Sequence, residues 1–290
     1  MAKNIKNIAL STAAIAAGLL VSSAAFATNP GGGGSTGFSS LYDRASGDGP
    51  CTVTRVSAGS STLYIPRDRS NANARFNVLV WGNGTGGTST TYRTLLESVA
   101  THCIAVAAAN TANSGTGAEM QEALNTLRSR YGSILGSRVC TAGHSQGGGG
   151  SFNAANRIGA DCVIPVQPDT LFTTRIYSSL ASHVEVITLW GQSDTLAPAS
   201  TNRRNVEGAS RILTQVETSG EGHFAPVSGR GGNIGTMFRM ANIAQLSNNP
   251  ATATEFRRAF WGPTTEYTAT TSHRDISDVR RNAAAQATNP

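Results

Sequence analysis

Residues 138–157, RVCTAGHSQGGGGSFNAANR, decide how the chain is read. A short apolar run, RVCTAG, leads directly into Ser145, and the QGGGGSFNAAN that follows can become a helix. Gly143, Ser145 and Gly147 form G-x-S-x-G, the pattern of a serine on a sharp strand-to-helix turn. Such a turn forces the serine into a strained backbone conformation, and small residues two before and two after it let strand and helix approach each other. The motif alone is not selective, because the chain holds 32 glycines and repeats it at Gly33, Gly34, Ser35, Thr36 and Gly37. No strand precedes Ser35 and no helix is expected after it, so only Ser145 has the setting that the motif needs.

Outward from this stretch, apolar and β-branched runs recur as CTVTRV, TLYI, FNVLVW and CIAVAAA before it, and as CVIPV, VEVITLW and ILTQVE after it. Between them Met120, Ala123, Leu124, Leu127 and Tyr131 repeat at helical spacing, and further helices are expected after residues 90, 146, 199, 233 and 251. An opening hairpin followed by alternating strands and helices predicts an α/β fold, a mostly parallel central sheet with helices on both faces. Chemistry is then expected at the carboxyl ends of the strands. Residues 1–27 combine a basic start, an alanine-rich apolar run and a small-x-small site, so they read as a secretory signal peptide cut before Thr28. Residues 28–50, rich in Gly, Ser, Asn and Asp, read as a flexible lead-in, 51–262 as the catalytic domain, and 263–290 as an irregular tail.

The charge pattern removes several chemistries. The only lysines, Lys3 and Lys6, fall in the leader, which excludes a lysine Schiff base or a P-loop lysine in the remainder. The arginines are scattered in short clusters, so the formal net charge of +6 reads as solvated faces, with no nucleic-acid surface. Four cysteines, Cys51, Cys103, Cys140 and Cys162, in an exported protein suggest two disulfides, with three pairings open. No C-x-x-C spacing occurs and the five histidines lie apart from the cysteines, which argues against a structural metal.

A serine hydroxyl needs a base, and the base needs an orienting acid, in the chain order Ser, Asp or Glu, His for this architecture. Asp194 in GQSDTLAP follows VEVITLW, and His223 in SGEGHFAP follows the next strand, which gives Ser145, Asp194 and His223. Asp169 also follows a strand and is the alternative acid. His183 opens a strand at the wrong end of the sheet, and His273 lies in the tail. The helix N-terminus behind Ser145 offers the Gln146 N–H to a developing oxyanion, and the glycine-rich loop of residues 82–92 offers a second, that of Thr85. Gly82, Gly84 and Gly87 in that loop also satisfy G-x-G-x-x-G. A dinucleotide site would want an acid where CIAVAAAN ends in Asn110, so no nicotinamide or other cofactor is expected.

GHSQGGGGS, SHVEVITLW, WGQSDTLAP and GEGHF, with GPCTV and TLYIP upstream, resemble the bacterial cutinase-like polyesterases, secreted α/β hydrolases that include polyethylene terephthalate hydrolases. The resemblance runs from about Gly49 to Trp261. It implies an α/β-hydrolase fold without lid or metal, and ester hydrolysis in two steps through an acyl-enzyme on Ser145. His223 would be the base, Asp194 its partner, and the Thr85 and Gln146 amides the oxyanion hole; His144, Asp169 and Phe224 are the candidate substrate contacts. Members active on aromatic polyesters carry an aromatic where Thr85 aligns, methionine at Gln146 and tryptophan at or near Asp169. Their absence here favours aliphatic or short-acyl esters and polyesters. Within this family setting the cysteine pairing is taken as Cys51 with Cys103 and Cys140 with Cys162.

The expected partner is thus an ester or polyester, met by a secreted monomer with no nucleic acid and no stable membrane insertion. Transfer of the acyl group to another alcohol would use the same residues. A binding module that kept the fold is the non-catalytic alternative.

Overall fold

A computed structural model describes residues 37–171, 180–208, 212–262, 270–288 and 290, all within one compact unit, Ser35–Pro290. The apolar runs become β1 (Thr52–Ala58), β2 (Ser61–Arg67), β3 (Phe76–Gly82), β4 (Ala105–Ala109), β5 (Leu135–His144), β6 (Cys162–Val166), β7 (Glu185–Gly191) and β8 (Ile212–Thr218). With β9 (Ile276–Arg281) they form, among the described residues, a nine-stranded sheet in the order β1-β2-β4-β3-β5-β6-β7-β8-β9. From β4 to β8 the pairings are parallel; β1, β2 and β9 run antiparallel to their neighbours.

Parallel strands need crossovers, and helices supply them here: α2 (Arg93–Ala100), α3 (Ala118–Tyr131), α4 (Gln146–Ile158) and α5 (Ala199–Glu207). Strand side chains alternate between faces, which divides the core in two. Val78 and Val80 of β3 pack with Met120, Ala123, Leu124 and Leu127 of α3. Leu79 and Trp81 turn to the other face, with Leu95 and Leu96 of α2 and Met237 and Phe238 of α6 (Gly232–Leu246). Burial on both faces explains why the central runs read as continuous apolar stretches.

Two sequence expectations are corrected. The stretch read as a flexible lead-in contains α1 (Gly37–Ser46), whose Phe38, Leu41, Tyr42 and Ala45 are buried. These four stand at i, i+3, i+4 and i+7, a helical stripe hidden by the Gly and Ser around it. Arg239 of α6, itself buried, donates to the Ala45 carbonyl and so holds the last turn. The tail is not irregular throughout: β9 pairs with β8 at the sheet edge, and α8 (Ala283–Ala287) buries Ala285. The leader and Ser35 lie outside the described residues. Both disulfides join the expected partners, with Cα atoms 5.3 Å apart for Cys51–Cys103 and 4.6 Å for Cys140–Cys162. The second links residues that face each other in the β5–β6 register.

At the amino end of β7, buried Glu185 accepts two bonds from Arg257 of α7 (Pro250–Arg257), at 2.6 and 2.8 Å, and one from Gln245 at 3.0 Å. Burial alone would raise its carboxyl, but the bonds and charge of Arg257, the Gln245 bond and the Arg138 charge together hold it below the usual carboxylate range. Its contribution to stability is therefore present above the ordinary glutamate value and lost as pH falls through the lowered one. Breaking a buried pair costs roughly 3–5 kcal/mol, and Arg138 remains nearby, so Arg257→Met is expected to cost about 2–3 kcal/mol in urea unfolding at neutral pH. The cost should shrink in acid. A loss under about 0.5 kcal/mol, as for a surface pair, would contradict this account.

Candidate active site

Ser145 stands between β5 and α4 with φ 53° and ψ −118°. A side chain at Gly143 would press on the carbonyls of Gly147 and Gly82, and one at Gly147 would press on the Gly82 carbonyl. The two glycines of the motif thus answer to a three-way approach of β3, β5 and the start of α4. The strained serine is fixed on both sides: its N–H donates to the Val166 carbonyl at 3.1 Å, and its own carbonyl accepts from Gly149 at 3.0 Å and Asp169 at 2.9 Å.

Two loops at the carboxyl edge bring the other groups. After β7, Asp194 Oδ1 accepts the Leu196 and Ala197 amides at 2.8 and 2.9 Å, and Oδ2 lies 2.8 Å from His223 Nδ1. After β8, His223 presents Nε2 at 2.9 Å from Ser145 Oγ. Burial would raise the Asp194 carboxyl, yet the His223 bond and the two amide bonds hold it below the usual range, so it stays ionised at neutral pH. An ionised carboxylate accepts only, which puts the His223 proton on Nδ1 and leaves Nε2 free to accept from the serine hydroxyl. Beneath the histidine loop, buried Gln167, at φ 45°, donates to the Gly222 carbonyl at 2.9 Å.

Thr85 lies in a tight turn in which Gly87 N–H bonds the Gly84 carbonyl at 2.9 Å, and it lines the same cleft as Ser145. Gln146 opens α4, so its N–H has no acceptor within the helix. The cleft holds about 390 Å³ and is bordered by Asp169, Leu196, His223, Phe224 and Val227 among others. Phe224 is 64% exposed and Leu196 60%, and Leu171, two residues past Asp169, is 53% exposed. Of these three exposed apolar side chains, Phe224 and Leu196 line the cleft itself. A larger groove, about 1100 Å³, runs past Arg44, Arg75 and His102, and its lining includes none of Ser145, Asp194 and His223.

Other candidates separate. His183 precedes β7, as its place in the sequence implies, and His273 packs its ring on Phe38 and Tyr42 with centroids 5.1 and 4.8 Å away. Asp169 borders the cleft and accepts from the Leu171 amide, so Asp194 is the acid on His223. His144, expected as a substrate contact, borders the cleft but presents almost no surface to it. It is 2% exposed, and both ring nitrogens are engaged, Nδ1 with Tyr92 Oη and Nε2 with the His223 carbonyl, each at 2.8 Å. Residue 144 ends β5, so its side chain enters the protein while Ser145 turns out. Tyr92 was missed, since a tyrosine eight residues past Gly84 carries no local signal; Leu196 was visible in the loop but unweighed beside Asp194. Among the described residues no cluster of three or more His, Cys, Asp or Glu could hold a metal, and no helix is long and apolar enough to cross a membrane.

No protein-family model matches the chain. It is similar to curated cutinases of Thermobifida. A cutinase of Thermobifida fusca strain YX is 26% identical over 246 residues, 78% of this chain and 79% of that protein. Cutinase 1 of Thermobifida cellulosilytica is 29% identical over 191 residues, 60% and 70% of the two chains. Cutinase cut1 of Thermobifida fusca is 26% identical over 249 residues, 78% and 75%. Such relatives span most of its length, and with the α/β-hydrolase sheet beneath its serine elbow they make the chain similar to the cutinases, which are carboxylic ester hydrolases.

Proposed function

We propose that Ser145, His223 and Asp194 carry out the hydrolysis, and that the natural substrates are aliphatic or short-acyl esters and polyesters. The observation that supports the roles most is the unbroken line Asp194 Oδ2, His223 Nδ1, His223 Nε2, Ser145 Oγ, with 2.8 and 2.9 Å at its two contacts. In this mechanism the serine proton passes to His223 Nε2 as Oγ attacks the ester carbonyl. The Thr85 and Gln146 amides receive the negative charge on the carbonyl oxygen, at the positive end of α4. His223 returns the proton to the departing alcohol, leaving an acyl-Ser145. Water, deprotonated by the same nitrogen, then releases the acid and restores the serine. Asp194 remains ionised and stabilises the imidazolium formed in each half.

The choice of substrate rests on the cleft wall. Among the described residues Phe224 is the one well-exposed aromatic there, and Thr85 and Asp169, which line the same wall, offer no ring to stack on a planar aromatic acid. Leu196, on the same wall, suits flexible alkyl chains. Action outside the cytoplasm is supported by the leader-like residues 1–27 and by two disulfides, which persist in oxidising compartments.

On a soluble p-nitrophenyl ester, Ser145→Ala is expected to lower kcat by about 10⁶ and Asp194→Asn by about 10⁴, with KM little changed. Activity surviving Ser145→Ala would sink the assignment. In a panel running from acetyl to octanoyl esters, with polycaprolactone and polyethylene terephthalate films, the aliphatic substrates should react faster, and Phe224→Ala should raise KM most for the longest acyl chain. Faster release of product from the aromatic film would overturn the substrate choice.

A further inference from the structure

Tyr92 lies immediately before α2, 3% exposed, beneath the cleft. Its hydroxyl accepts the Gly84 N–H at 3.1 Å and lies 2.8 Å from His144 Nδ1. On the far side of that ring, Nε2 is 2.8 Å from the His223 carbonyl oxygen. A carbonyl only accepts, so Nε2 bears the proton; in a neutral ring Nδ1 is then the acceptor, and Tyr92 must donate to it. Burial first, and then the neighbouring His223, push His144 down to about 3, so the ring is neutral wherever the enzyme would work. With ring centroids 4.7 Å apart, a charged His144 would oppose the imidazolium that the reaction forms on His223.

One hydroxyl thereby ties three segments: the loop before Thr85, the residue before Ser145, and the main chain of His223. The loop is shaped around it. A side chain added at Gly84 would come within 2.8 Å of Tyr92 Oη and 3.1 Å of His144 Nδ1, and one at Gly87 within 3.1 Å of the tyrosine ring. The glycines of the G-x-G-x-x-G spacing thus have local causes, Gly84 and Gly87 in their seating on Tyr92 and Gly82 in its approach to Met120, Ser114 and Gly147.

We propose that Tyr92 is a positioning residue for the reaction: its hydroxyl holds His144 in the Nε2–H tautomer and, through that ring and Gly84, keeps the His223 main chain and the Thr85 amide in working register. The inference rests on the roles proposed for Ser145, His223 and Thr85 and adds a residue that touches no substrate. Misplacing reacting groups by about 1 Å can cost about 100-fold in rate.

The test measures kcat and KM separately for wild type, Tyr92→Phe, His144→Met, the double variant and Ser145→Ala. Tyr92→Phe should lower kcat roughly 10- to 100-fold with KM within about twofold, because the ring still fills its seat. His144→Met should lose as much, and the double variant less than the product of the two losses. A wild-type kcat for Tyr92→Phe, or losses that multiply, would overturn the proposal. Nitrogen-15 NMR of the unsubstituted protein gives a readout that needs no variant to fold. It should find His144 neutral with the proton on Nε2 from about pH 5 to 8, and an Nδ1–H tautomer or an imidazolium in that range would also overturn it. If Ser145→Ala keeps activity, the triad assignment itself fails; if Ser145→Ala is inactive and Tyr92→Phe is unimpaired, only the role of Tyr92 fails.

Discussion

Everything at the site depends on how closely the backbones of β3, β5 and α4 meet. Side chains at Gly143 or Gly147 would collide with main-chain carbonyls there, and that approach leaves Ser145 at positive φ with its hydroxyl aimed out of the sheet. The same contact makes Ser145 the N-cap position of α4 and Gln146 its first residue, so nucleophile and helix N-terminus arrive together. The strain is held because the serine amide is bonded to Val166, fixed by the β5–β6 pairing, and the serine carbonyl to the amides of Gly149 in α4 and Asp169.

From that point outward the site is ordered by groups that can act in only one sense. An ionised Asp194 can only accept, which sets the tautomer of His223 through its side chain. The His223 carbonyl can only accept as well, which sets the tautomer of His144 and, through it, the hydroxyl of Tyr92. The proposed base is therefore gripped twice, through the ring by a carboxylate and through the main chain by a buried imidazole. One grip comes from the loop after β7 and the other from the last residue of β5, both at the carboxyl edge of the sheet.

Most of this was legible in the sequence where a residue's burial follows its local pattern. Of the eight runs that became β1 to β8, central ones such as β4, β6 and β7 are buried on both faces, and the α3 stripe from Met120 to Leu127 kept its helical spacing. The groups of the triad were legible from order alone, since each follows a strand that ends at the same edge. What escaped lacks such a signature. In α1 the residues Phe38, Leu41, Tyr42 and Ala45 are diluted by glycine and serine. β9, ISDVRR, is an edge strand without alternation, held by pairing to β8 more than by its own side chains. His144 stands beside the nucleophile, and proximity in sequence suggested a contact with substrate; alternation along β5 sends it into the protein.

The central claim, that the strained Ser145 is the nucleophile and His223 its base, is met most directly by covalent trapping. A fluorophosphonate added to the intact protein at neutral pH, followed by peptide mass mapping, should give one adduct per chain, on the peptide that contains Ser145, and none after His223→Ala at matched time and concentration. An adduct on another serine, Ser35 in the second G-x-S-x-G included, or undiminished labelling of Ser145 without His223, would contradict the account.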